Sequence, residues 1–271
     1  VGSKTSHGSE STGVIPFMKV VDAEMLAFSQ GVTRRGSYAA YLDISHPEIE
    51  EFLDVRKPTG GDINRKSINL HHAIIIPDAF MELIDKATRE EGFNDDWDLV
   101  DPHSGEVKKT VSAKTLWVKL IQNRVETGEP YIMFGDAVNR KLPEFQKQLG
   151  LKVNQSNLCS EITLPTNDDR TAVCCLSSVN LEKFDEWEKE DKFIPDLVRF
   201  LDNVLEHFIN NAPESLAKAK YSASQERSIG LGAMGFHAYL QKNNLPFESP
   251  MAKGFNLRAF NLIKSKAFKA T

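Results

Sequence analysis

Cysteine is scarce: three residues in 271, with no C-x-x-C pair. That excludes a disulfide-stapled scaffold. None of the seven histidines stands at ligand spacing from a cysteine, so no metal site is expected. Long apolar runs are missing too. The strongest, Ala73-Ile74-Ile75-Ile76, is far short of the ~20 residues that span a bilayer. Positive charge is not in excess. Lys and Arg number 33 against 38 Asp and Glu, for a net charge of -5, so no global basic field draws the chain to nucleic acid or anionic lipid. The first thirteen residues, rich in Ser, Gly and Thr, show no basic-then-apolar leader. The expected setting is cytoplasmic, with no membrane contact and no direct nucleic-acid contact. What is present is ordinary globular material, 41% hydrophobic and 26% charged. A chain of this length buries roughly three quarters of its unfolded surface.

Helical and strand patterns alternate. Pro16 opens a helical pattern with Val20, Val21, Met25 and Leu26 inward, and residues 37–44 read as a strand. Pro47 starts a short helix, and 57–62 is a loop. Residues 68–76 form an apolar run of the kind buried on both faces of a parallel sheet. Asp78 caps a helix, 97–109 reads as a hairpin, and Ser112 caps a helix with Leu116, Trp117, Leu120 and Ile121 inward and Gly128 past its end. Residues 131–134 form a strand, 154–166 is extended or irregular, 171–179 is strand-like and 195–209 is helical. Leu257, Phe260, Ile263, Ala267 and Phe268 keep helical spacing to the last residues, with no Gly or Pro stop, and the chain begins with Val. The expectation is a piece of a longer protein: α/β, mostly parallel strands, one domain over 1–271 that is incomplete at both ends.

Chemistry concentrates in Ser156-Asn157-Leu158-Cys159-Ser160-Glu161-Ile162. On an extended backbone, residues i, i+2 and i+4 share a side. Asn157, Cys159 and Glu161 then form one row of amide, thiol and carboxylate, the groups that nucleophilic or hydrogen-atom chemistry needs. Taken alone, the segment reads as well as a small buried cysteine with polar loop neighbours. The vicinal Cys174 and Cys175 lie on opposite faces of a strand. Arg34 and Arg35, between glycines, can donate bidentate bonds to a phosphate or a base edge, or form a solvated turn. Gly230-Leu-Gly-Ala-Met-Gly235 has the wrong spacing for a dinucleotide fingerprint.

In chain order, Ser-Thr-Gly-Val-Ile-Pro-Phe-Met-Lys (11–19), Ser-Gln-Gly…Arg-Arg-Gly (29–36) and His-Pro-Glu-Ile-Glu-Glu-Phe-Leu (46–53) precede Thr-Gly-Glu-Pro-Tyr (127–131). Ser-Asn-Leu-Cys-Ser-Glu-Ile (156–162), Ala-Val-Cys (172–174) with Leu-Ser-Ser (176–178), and Ile-Gly-Leu-Gly-Ala-Met-Gly (229–235) follow. Together they resemble the large catalytic (α) subunit of ribonucleotide reductases, class I above all. The resemblance implies part of a ten-stranded α/β barrel of two half-barrels with a central finger loop, here Ser156–Ile162. It implies Cys159 as the thiyl radical that takes the ribose 3′ hydrogen, Glu161 as general base on the 3′ hydroxyl, and Asn157 as a substrate hydrogen-bonding amide. Cys174 becomes one of two redox thiols, facing Cys159, with Cys175 packed outward. Residues 29–36 match the loop between effector and substrate base, with Gln30, Arg34 and Arg35 as its contacts. Val32 replaces a family glycine there, and Cys175 replaces a polar residue.

The implied substrate is a ribonucleoside diphosphate. The implied partners are a small (β) subunit that carries the radical metallocofactor, thioredoxin or glutaredoxin, and a second large subunit in a homodimer. No cofactor is expected on this chain itself, and dNTP or ATP effectors belong to the full-length protein. The isolated piece is expected to be inactive. Two other readings stand beside this one: a class II reductase that draws its radical from adenosylcobalamin, and a non-catalytic nucleotide-binding or assembly module.

Overall fold

The computed structural model describes residues 1–271, the side chain of Gln30 excepted. Contacts divide the chain into two compact units, Val1–Pro165 and Thr166–Thr271. Helices alternate with parallel strands in both, so the α/β expectation holds.

The first unit runs α1 (Val14–Ala27), β1 (Ser29–Gln30), β2 (Arg34–Arg35), β3 (Ala39–Asp43), α2 (Ile49–Leu53), β4 (His71–Ile76) and α3 (Asp78–Arg89). It continues with β5 (Asp96–Val100), β6 (Val107–Ser112), α4 (Ala113–Thr127), β7 (Tyr131–Phe134), α5 (Gly135–Arg140) and α6 (Glu144–Gln148). Strands β3, β4 and β7 form a parallel sheet in that order, and β5–β6 is the expected hairpin. Parallel pairing needs a long crossover, which α2, α3 and α4 provide. Central β4 is buried on both sides, with Ala73, Ile74 and Ile76 fully inaccessible, as its apolar run predicts. The core gathers Ile15, Phe52, Ile74, Phe80, Leu116 and Leu120 around it.

Helix α4 follows the sequence closely at its ends. Ser112 Oγ accepts the Thr115 amide at 3.1 Å, and Gly128 ends the helix in the left-handed conformation. Its inward face is narrower than expected: Leu116 and Leu120 are buried, while Trp117 is partly buried and Ile121 reaches solvent. Helix α3 differs at its start. Asp78 is its first residue rather than its cap, and its carboxylate pairs with Arg140. Asp136 Oδ2 accepts the Asp78 amide at 2.8 Å and takes the capping role from another element.

Helix α1 buries a different face from the one its apolar residues suggest. Val20 and Leu26 are exposed, and Ile15, Met18 and Asp22 are buried. Asp22 accepts the Leu70 amide at 2.7 Å, the Asn69 amide at 3.1 Å and the Asn69 side chain at 3.2 Å. These bonds satisfy the backbone just before β4, and a carboxylate so held is tolerated in a core.

The sheet's leading edge is tied by another carboxylate. Glu129, just before β7, bonds His71 Nδ1 and accepts the His72 amide at 3.0 Å. Arg56 lies 3.4 Å away. The His72 ring, 3.3 Å from Oε2, makes an electrostatic contact rather than an aligned hydrogen bond. Burial opposes ionisation of Glu129, but the two imidazoles, the backbone amide and the Arg56 charge outweigh it and hold its pKa at about 2.

The second unit holds β8 (Cys175–Asn180), α7 (Phe184–Trp187), α8 (Phe193–Asn211), α9 (Ala217–Glu226), β9 (Ile229–Met234), α10 (Phe236–Lys242) and α11 (Pro250–Ala270). Strands β8 and β9 pair in parallel, Leu176 opposite Gly230 and Ser178 opposite Gly232. A Cβ at Gly230 would lie 2.4 Å from Leu176 Cδ2, so the glycine makes room for its neighbour rather than for a nucleotide. Phe184 is the hub of this unit's core, edge-on to Trp187 at 4.9 Å and to Phe255 at 5.3 Å. Helix α11 buries Ala252, Phe255, Ala259 and Ile263, while Leu257, Phe260 and Phe268 face solvent. Its inward stripe is therefore offset from the one the larger residues trace.

A carboxylate held below its ordinary pKa of 4.5 stabilises the fold above that value, and the contribution is lost as pH falls from about 4.5 toward about 2. Glu129→Gln should cost about 1–3 kcal/mol at neutral pH and flatten stability across that acid window. Urea melts at pH 7 and pH 3 check this.

Candidate functional site

Residues 154–166 carry no regular structure, as expected, but they are not extended through the cysteine. Asn139 fixes the approach: its Oδ1 accepts the Val153 amide and its Nδ2 donates to the Val153 carbonyl, both at 2.9 Å. The chain then turns at Leu158–Cys159. Ser160 adopts φ 65°, and its amide donates to the Asn157 carbonyl at 3.1 Å. The Asn157 amide reaches the Ile162 carbonyl at 3.2 Å, and Ser156 Oγ reaches the same carbonyl at 2.6 Å. Asn157 Oδ1 accepts the amides of Glu161 and Ile162, each at 3.0 Å.

This corrects the expected row. Strand alternation does not apply to a turn with a left-handed residue in it. The side-chain carbonyl of Asn157 is committed to its own loop, an Asx-type arrangement. The structure does bring Asn157, Cys159 and Glu161 into one compact turn. Cys159 is a free thiol, and both it and Glu161 are exposed.

Beneath the turn lies the sheet. Tyr41, Ala73 and Tyr131 are register partners across β3, β4 and β7, and in-register residues share a face. Tyr41 Oη donates to the Asn157 carbonyl at 3.1 Å. The Tyr131 ring stacks on His71 at 5.8 Å and 8°. Burial raises the Tyr131 phenol above its ordinary pKa, and the negative charge of Glu129 acts the same way, with Arg56 opposing. Beside the turn is a cavity of about 500 Å³, lined by Ser156, Ser160, Thr163 and the apolar side chains of Met133, Val138 and Leu142.

The arginine loop is a minimal hairpin, Ser29 opposite Arg35 and Gln30 opposite Arg34. The side chain of Gln30 lies outside the described residues. Arg34 and Arg35 are exposed and make no ion pair among the described residues. Gly31 takes φ 72° while Val32 does not need a positive φ, and Val32 projects at 98% exposure. Valine at this position is compatible with the turn.

Cys174 precedes β8 and Cys175 opens it; both are half-buried and neither is in a disulfide. The space above Gly230 is flanked by Leu176 and by Cys174 Sγ, 3.7 Å from where a Cβ would stand, so Cys174 and Leu176 share a side. Burial raises the Cys175 thiol. Cys159 belongs to the first unit and Cys174 to the second. Among the described residues, no three His, Cys, Asp or Glu side chains converge to hold a metal ion, and no helix is long and apolar enough to cross a membrane. From the sequence, Tyr41 and His71 have no assigned role, and Glu129 and Tyr131 enter only as members of the Thr-Gly-Glu-Pro-Tyr motif. What joins the four is the pairing of β3, β4 and β7, which becomes visible only once the sheet is assembled.

Residues 2–271 match the family model of the ribonucleotide reductase barrel domain. The chain is 52% identical over 266 residues to a putative ribonucleoside-diphosphate reductase large subunit of Frog virus 3 (isolate Goorha), covering 97% of this chain and 46% of the relative. It is 45% identical over 303 residues to the ribonucleoside-diphosphate reductase large subunit of Invertebrate iridescent virus 3, covering 94% and 48%. Among solved structures, the Actinobacillus ureae class Id ribonucleotide reductase alpha subunit superposes with a TM-score of 0.77 at 32% identity, over 98% of this chain and 45% of that one. The chain spans about half the length of these relatives.

If Asn157 Oδ1 organises the turn, Asn157→Ala removes the acceptor of two amides. Hydrogen exchange at Glu161 and Ile162 should then accelerate about tenfold or more, while the amides of β4 keep their protection.

Proposed function

Because this chain belongs to the ribonucleotide reductase barrel family, we propose that it forms part of a class I large subunit that converts ribonucleoside diphosphates to deoxyribonucleotides. The observation that carries the reading is the Cys159 turn: a free thiol at the tip of a loop closed by Asn157, with Glu161 in the same turn. In this scheme the Cys159 sulfur, as a thiyl radical, takes the ribose 3′ hydrogen atom, and Glu161 accepts the 3′ hydroxyl proton. The 2′ hydroxyl leaves as water with a proton from one of two redox thiols, one of them Cys174. The second thiol gives a hydrogen atom to C2′, and the two sulfurs close to a disulfide as the remaining electron reduces the 3′ ketone and Glu161 returns its proton to the 3′ oxygen. The hydrogen atom then returns from Cys159 to C3′, which regenerates the thiyl radical.

The exposed Arg34 and Arg35 suit a loop that meets a nucleotide or its phosphates. The radical-generating metallocofactor belongs, in this reading, to a separate small subunit. Thioredoxin or glutaredoxin as reductant, homodimerisation, dNTP and ATP effectors, and a cytoplasmic setting complete the proposal.

The test uses the complete large subunit with its radical-generating partner. Cys159→Ser should abolish deoxynucleotide formation. Glu161→Gln should lower kcat by about 10²–10⁴ with KM little changed. Cys174→Ser should stop thioredoxin-dependent turnover, while Cys175→Ser costs only modest stability. Full turnover in Cys159→Ser would sink the assignment.

A further inference from the structure

The hydrogen bonds of the Cys159 turn are mostly internal. They run among Ser156, Asn157, Ser160, Glu161 and Ile162. Such a loop holds its own shape but has little to fix its orientation against the rest of the unit. Tyr41 supplies an external tie. Its hydroxyl donates to the Asn157 carbonyl at 3.1 Å from a residue 116 positions away in sequence. The same carbonyl accepts the Ser160 amide at 3.1 Å. A carbonyl oxygen has two lone pairs, and here one closes the turn while the other docks it to the sheet. The peptide that links Asn157 to Leu158 therefore cannot rotate without breaking both bonds, and Cys159 is only one residue further on.

The donor is itself well fixed. Tyr41 lies in mid-strand, paired with Ala73, and its half-buried ring packs against the cluster of Met133, Leu142 and Val153. Val153 is the residue that Asn139 clamps at the start of the approach to the turn. Tyr41 thus packs against the cluster that holds the base of the loop and bonds the loop at its turn.

We propose that Tyr41 is a positioning residue for Cys159: its hydroxyl sets the orientation of the cysteine turn over the β3–β4–β7 sheet. The proposal rests on the reading of Cys159 as the reacting thiol. It assigns Tyr41 no electron or proton to carry. A hydrogen atom is abstracted only across a short, directed gap, and small misplacements of a reacting group are costly. Loss of the hydroxyl should therefore lower turnover without changing substrate affinity.

The experiment compares Tyr41→Phe, 3-fluorotyrosine at position 41, and Tyr38→Phe in the complete large subunit with its radical-generating partner. Tyr38 packs on the opposite core and makes no side-chain hydrogen bond among the described residues. Tyr41→Phe should speed exchange of the Ser160 amide about tenfold and lower kcat about tenfold, with KM for the nucleoside diphosphate within about twofold of the parent. The fluorinated residue keeps the hydroxyl and should restore both values, and Tyr38→Phe should change neither. Unchanged exchange in Tyr41→Phe, faster exchange with unchanged kcat, or an equal effect from Tyr38→Phe would each overturn the proposal. Cys159→Ser is measured alongside. Turnover that survives it removes the underlying reading, whereas the exchange result, which needs no turnover, judges the tie by itself.

Discussion

The first unit depends on one buried carboxylate. Glu129 sits at the entrance to β7 and holds the entrance of β4 through His71, through the His72 amide and through the nearby Arg56 charge. Parallel strands have no tight turn to fix their register, so something else must do it. Here a single side chain, set two residues ahead of β7, reaches the first two residues of β4. Slippage by one residue would turn Tyr131 to the opposite face and leave a carboxylate buried without donors. The second outcome is the more expensive, because a buried charge is tolerated only while it is paired.

From that register the rest of the site follows. Tyr41, Ala73 and Tyr131 come into line across three strands, with the small alanine leaving room between two rings. Tyr41 then meets the Asn157 carbonyl, and the turn that carries Cys159 has a fixed floor. Asp22 has a comparable role on the helical side of the sheet. It satisfies the backbone before β4 from within helix α1, so the entrance to the central strand is anchored by two buried carboxylates on consecutive residues. In the second unit the core is built on rings, with Phe184 against Trp187, Tyr239 and Phe255, and a buried ion pair, Arg170–Glu226 at 2.7 Å, ties the chain before β8 to the end of α9.

The cysteine turn shows how the same grouping of residues can arise from a different geometry. Alternation along an extended strand groups Asn157, Cys159 and Glu161, and these three residues do belong to one compact element. The grouping comes instead from a turn in which Ser160 is left-handed and Asn157 spends its side-chain carbonyl on backbone amides. Asparagine and serine compete with regular structure by bonding nearby backbone. That chemistry is present in the residues, and a period of two does not capture it. The C-terminal helix departs from its pattern too: the buried stripe of Ala252, Phe255, Ala259 and Ile263 is offset from the expected one and shares only Ile263 with it.

By itself, the sequence determined the α/β alternation, the burial of the 71–76 strand, the helix ends at Ser112 and Gly128, and the cysteine motif with its family. Each depends on near neighbours or on a run of residue types, and such information is local. Only the tertiary structure decided which face of α1 is buried, which carboxylate caps α3, and which tyrosine holds the Cys159 turn. Those outcomes join residues tens of positions apart: Asp22 to Leu70, Asp136 to Asp78, Tyr41 to Asn157. A polar side chain can enter a core only when its donors are already in place, and those donors come from strands and loops that the chain brings together only on folding.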